Sequence, residues 1–201
     1  MNRRRFLAAG TMIVPAALAV TPALAVCEGD GTPAQFAPRT PKDSNPLENE
    51  FEKYPKCPFC GMDRTKWHFS RHLIHYNDDL VDGTCSIHCA AVAISLNLVR
   101  GPKAIYAADN GSGEAIKPLI NAETATYVIG GDHKAVMTGI AKTSFASRLA
   151  AEAAKGDGEL SDFDGALRLS FINMWDDMRM MRRKREEYMR KKGLRELPPD
   201  R

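Results

Sequence analysis

Four cysteines in two close pairs constrain this chain more than any other feature: Cys57 and Cys60 in C-P-F-C-G-M, then Cys85 and Cys89 in G-T-C-S-I-H-C, with 24 residues between the pairs. A C-x2-C turn points two sulfurs the same way. A C-x3-C pair at i and i+4 sets two more on one face of the first turn of a helix. Thiolates that converge in this way can share one soft metal ion, so metal handling is the leading reading. Four thiolates suit tetrahedral Zn(II), whereas Cu(I) is satisfied by two or three sulfurs and accepts a thioether or imidazole beside them. Such donors stand next to the pairs: Met62 follows Cys60 by two residues, and His88 lies between Cys85 and Cys89. His68, His72 and His75 lie further off, and each alone reads as a surface or packed histidine.

The N-terminus carries an address. Arg3-Arg4-Arg5 precede Phe6-Leu7, an apolar run continues to Val20, and Ala23-Leu24-Ala25 offers a cleavage site. This reads as a twin-arginine export signal over residues 1–25 rather than a membrane anchor, because the run is interrupted by Gly10 and Pro15, is short for a span and ends at an A-x-A site. The expected location is therefore periplasmic. Lipidation of Cys27, which would tie the chain to a membrane, is not favoured, because Val26 stands before it where a small residue is wanted. Cleavage after Ala25 removes three arginines and no acid, which cancels the formal charge of +3. A nucleic-acid partner is excluded on that balance.

Export raises a rival, since four cysteines in an oxidising compartment can form two disulfides. The twin-arginine route carries proteins already folded, which favours a metal loaded or a fold completed before export. The C-P-F-C sequence also resembles the motif of glutaredoxin-like thiol-disulfide oxidoreductases. That chemistry expects a buried strand before the motif and a helix starting at it, whereas E-K-Y-P-K precedes it here and Gly61 follows. The sequence contains no Ser/His/Asp arrangement, phosphate-cradling glycine loop or dinucleotide fingerprint, so the chain is not expected to be an enzyme.

Residues 26–50 are rich in proline, with Pro33, Pro38, Pro41 and Pro46 breaking any period, and read as an extended tether. A metal-binding domain is expected over 51–162, its cysteine-bearing half being 51–108 and its second half 109–162. In the first half, alternation from Phe69 to Tyr76, a turn at Asn77-Asp78-Asp79 and Leu80-Val81 predict a hairpin. A helix from Cys85 to Leu98 capped by Thr84 and a strand over 104–108 complete a ββαβ unit. The second half repeats the order, with strands over 124–129 and 136–141, a helix over 144–155 and a short element near 159–160. Residues 163–201 hold a long amphipathic helix to about Lys192 and a tail. Leu167, Phe171, Met174, Met178 and Met181 recur on its apolar stripe, and the methionines read as packing against the domain or a partner helix. The expected fold class is α+β: two ββαβ-type units, the first like a treble-clef metal knuckle, followed by a long C-terminal amphipathic helix.

Cys57-Pro58-Phe59-Cys60-Gly61-Met62, the hairpin, Asp82-Gly83-Thr84-Cys85 and the run from Ala125 to Ala154 together resemble the nitrous oxide reductase accessory protein family, NosL, over about residues 54–165. The resemblance implies a periplasmic Cu(I)-binding protein of two ββαβ-type units that supplies copper to a recipient copper protein or its maturation complex. It implies copper contacts for Cys60 and Met62, which match a Cys-Gly-Met motif, for Cys85 before the first helix, and for Met137. Cys57, His88 and Cys89 are additional candidate ligands, and they give the first half the look of the treble-clef knuckles called TRASH domains. The implied cofactor is Cu(I), with Zn(II) as the alternative.

Overall fold

A computed structural model describes residues 36–194; the expected export signal, its cleavage site and Cys27 lie outside the described residues. Two small antiparallel sheets share one strand logic. In the first, β1 (His72–Tyr76) and β2 (Val81–Thr84) form the predicted hairpin, α2 (Ile87–Leu96) crosses, and β3 (Pro102–Ala108) returns on the other side of β1. In the second, β5 (Thr126–Ile129) pairs with β6 (Lys142–Phe145), α3 (Arg148–Ala154) crosses, and β7 (Glu159–Ser161) returns beside β5. Each half is thus a ββαβ unit with its first strand in the middle. β4 (Leu119–Asn121) adds an edge to the first sheet by pairing with β3, so that sheet extends past the expected half boundary at residue 108.

The hairpin turn follows from its residues. Asp79 takes a left-handed backbone, φ 64°, which aspartate tolerates, and Tyr76 N–H donates to Leu80 O across the turn. α2 is apolar nearly all round and buries Ile87, Ala90 and Ala93 against Ile74, Tyr76 and Ile105. Its core continues into the second half through Ala125, Tyr127 and Phe163. Polar bonds close the seam: Ser144 Oγ donates to Ala108 O at 2.6 Å, Asn110 Nδ2 to Phe69 O at 2.9 Å, and His72 Nε2 lies 3.0 Å from Tyr127 Oη.

Four expectations are corrected. The α2 helix starts two residues later than expected, with Ser86 and not Thr84 at the N-cap; Thr84 is spent on β2, where it pairs with His72. No strand covers 136–141, because that stretch holds Met137 at φ 59°, a left-handed value that ends strand pairing; the strand is β6, from Lys142. The helix of the second half begins at Arg148, capped by Ser147 Oγ. The C-terminal helix is two helices, α4 (Phe163–Ile172) and α5 (Met174–Lys191), because Asn173 at ψ −2° interrupts the winding where Ser170 Oγ bonds back to Ala166 O.

Residues 36–49 carry no strand and lie against the hairpin rather than forming a free tether. Asp43 N–H donates to Asp79 O, Thr40 Oγ1 reaches Val81 O, and Tyr54 Oη donates to Asp43. Among the described residues, no helix is long and apolar enough to cross a membrane.

Candidate metal centre

Residues 56–63 fold into a knuckle. Lys56 and Asp63 face each other as an antiparallel bridge, Cys57 N–H donates to Met62 O at 2.9 Å, and Gly61 N–H donates to Cys57 O at 2.8 Å. Gly61 sits at φ 74°, where a residue without Cβ is least strained, and the resulting reversal brings Cys57 and Cys60 to one side.

What fixes this knuckle in the fold is Arg64, fully buried and unremarked in the sequence. Its Nη1 donates to Tyr54 O at 2.7 Å and pairs at 2.7 Å with the Glu50 carboxylate, and its Nε donates to Thr84 O. Arg71 Nε donates to the other oxygen of Glu50 at 2.8 Å, so the short helix α1 (Glu50–Lys53) is pinned by two guanidinium groups on one carboxylate. A Cβ at Gly83 would stand 2.8 Å from Arg64 Cζ and 2.7 Å from Tyr54 Cβ. The bare backbone of β2 is therefore what admits the arginine. Spacing gave no signal for this network, because its members meet only through the fold.

Cys85 leaves the end of β2 and Cys89 lies in the first turn of α2. Cys85 Sγ is 3.3 Å from Cys60 Sγ and 3.7 Å from Cys89 Sγ, and all four sulfurs lie within 4.8 Å of one another. A tetrahedron with metal–sulfur bonds of ~2.3 Å has edges of about 3.8 Å, so the four sulfurs need little movement to surround one ion. Knuckle, hairpin and helix start thus supply the ligands as a treble clef does. All four are free thiols. Cys57, Cys85 and Cys89 are buried, while Cys60 is half-buried, which leaves one edge of the group accessible. Phe59, Met62 and Met137 pack against it.

Sulfur groups so close cannot all ionise alone. Hydrogen bonds from Cys60, Cys85 and Cys89 pull the Cys57 thiol far below its ordinary range, and the same hydrogen bonds, first of all those to Cys57 and Cys60, push the Cys85 and Cys89 thiols up. Only a cation among them would let the whole set act as thiolates.

Met137 arrives from the second half. The connection from β5 to β6 reaches over the first half, where Lys134 Nζ lies 4.7 Å from the centre of the Trp67 ring. Two residues beyond Met137, Gly139 N–H donates to Asp177 Oδ1 of α5 at 2.8 Å. Lys142 Nζ donates to Thr138 Oγ1 in the same loop. His88, expected among the ligands, is not in the converged group; its Nδ1 lies 3.4 Å from Asp177 Oδ2, because the cysteine side of α2 is filled by Cys89 and His88 falls on the side of α5. Asp177 was missed, although an acid amid an apolar helical stripe is a legible sign of a buried partner. His72, His75 and His68 are each bonded elsewhere, to Tyr127, Asp79 and the Lys117 N–H. The structure therefore brings together Cys57, Cys60, Cys85, Cys89, Met62 and Met137.

Comparison with known proteins adds a family. The family model described as NosL matches residues 48–166. Among solved structures, the chain is similar to the crystal structure of the copper chaperone NosL from Shewanella denitrificans, with 24% identity, a TM-score of 0.47, and coverage of 62% of this chain and 95% of that one. None of the curated proteins matches.

Proposed function

This chain belongs to the NosL family, and from that premise we propose that it is an exported Cu(I)-binding accessory protein that passes copper to a periplasmic copper enzyme, nitrous oxide reductase being the recipient of first choice. The observation that carries the reading is the donor set: four thiol sulfurs within 4.8 Å and two thioethers packed on them. Six soft donors exceed what a closed tetrahedral zinc site uses. Thioethers favour Cu(I), and a surplus of sulfur lets one ligand replace another without exposing the ion. The accessible edge at Cys60 is where an incoming thiolate of a recipient can join. The function is ligand exchange rather than catalysis. Cys57, Cys85 and Cys89 hold, Cys60 opens, and Met62 and Met137 complete the set as Cys60 is released.

The four converged thiols equally support a structural zinc knuckle, in which the metal secures the fold and function lies elsewhere. An anaerobic titration of the protein with Cu(I) and with Zn(II) against chelators of known affinity separates the two. Tight Cu(I) binding, weakened by Cys60→Ser and less steeply by Met137→Leu, is the expected result. Preference for Zn(II) with no effect of Met137→Leu contradicts the proposal.

A further inference from the structure

The family match ends at residue 166, so α5 lies beyond it, yet α5 touches the metal-site loop directly. Met174, Met178 and Met181 stand at i, i+4 and i+7 on this helix, a spacing that stacks their side chains on one face. The methionines were expected to pack against the domain or a partner helix; within the described residues α5 gives none of its side chains to a hydrophobic cluster of the domain. Met178 is 46% exposed, and Met174 and Met181 are half-buried.

What holds α5 is Asp177, buried within the same stripe at i+3 from Met174 and i−4 from Met181. Its Oδ1 accepts the Gly139 N–H, and its Oδ2 faces His88 Nδ1, both of the latter atoms lacking a hydrogen-bond partner. Gly139 is two residues from Met137, which packs on the cysteines. Asp177 thus ties the helix that carries the three thioethers to the loop that brings Met137 to the cysteine group.

We infer that Met174, Met178 and Met181 form a second soft-metal site, a three-thioether site for Cu(I) in exchange with the cysteine centre. The inference rests on the Cu(I) reading of that centre. Neutral thioethers discriminate against Zn(II), which wants harder or anionic donors, and Asp177 supplies a negative charge beside the bound monocation. In the exchange copper stays Cu(I) and no electron moves. A sulfur lone pair of each methionine replaces a thiolate bond, and the released thiolate takes a proton from solvent.

The test is an anaerobic titration of the whole chain, labelled with 13C at the methionine methyls, with Ag(I) as the non-oxidisable stand-in for Cu(I). The first equivalent is expected to shift Met62 and Met137. A second is expected to shift Met174, Met178 and Met181 together, leaving Met180, which lies off that face, and Met189, which lies about two turns further along the helix. The M174L/M178L/M181L variant, which keeps side-chain volume, should lose the second equivalent and keep the first. The proposal is overturned if no second equivalent binds, if Met180 and Met189 move as much as the three, or if the triple variant binds both. Shifts at the three with none at Met62 and Met137, and no change in thiol titration, would support the stripe and reject the copper reading of the cysteines.

Discussion

At the residue scale, the sulfurs are held in place by side chains outside their own group. Arg64 is buried with its charge set against Glu50, so a variant that removes the guanidinium leaves the carboxylate with Arg71 alone and several carbonyls unpaired. Arg64→Leu should lose about 3–5 kcal/mol in urea unfolding, while Gly83→Ala, which drives a methyl into the same guanidinium, should lose about 1–3 kcal/mol. Met137 presents the opposite case. Its left-handed backbone is a strain kept for position, so Met137→Gly should weaken Cu(I) binding at least severalfold while leaving the melting temperature unchanged or higher. The cysteines, Met62 and Met137 were legible from residue type, spacing and family resemblance. Arg64 and Asp177 were not, because their meaning lies in partners 14 and 38 positions away.

At the element scale, local chemistry predicted what local chemistry decides. The β1–β2 hairpin, the apolar helix α2, β3 and the closing strand β7 stand near where alternation, turn residues and periodicity put them. The misplaced element is β6. Residues 136–141 have the apolar content of a strand, but they are bent over the cysteine group and tied to α5, a tertiary demand that no window of sequence carries. β4 was missed because a three-residue edge strand exists only through its pairing with β3. The helix start at α4 offers a simple check. Asp162 Oδ1 accepts the Gly165 N–H at 2.8 Å, so Asp162→Ala should cost about 1 kcal/mol of stability and leave metal affinity as it was.

At the scale of the whole molecule, two ββαβ units with negligible sequence identity share one topology, and the sulfur group draws its four thiols and the Met62 thioether from the first and the Met137 thioether from the second. Their seam is pH-sensitive. His72 is buried between Ser70 O and Tyr127 Oη, and burial lowers its pKa to about 4. The imidazole is held neutral in the fold, so its contribution is intact above about pH 6.5 and drains as the pH falls towards 4, by about 3 kcal/mol in all. Asp82, raised to about 6 by burial, works the other way over an overlapping range. The difference between wild type and His72→Gln isolates the histidine: wild-type stability should fall more steeply from pH 6.5 to 4, and parallel curves would refute this. The most direct test of the central claim is removal of bound metal by a Cu(I) chelator under anaerobic conditions, followed by near-UV circular dichroism. The protein is predicted to give up its copper with its tertiary signal retained and to take copper back at the same affinity; loss of that signal as the metal leaves would make the cysteine centre a structural knuckle and contradict delivery.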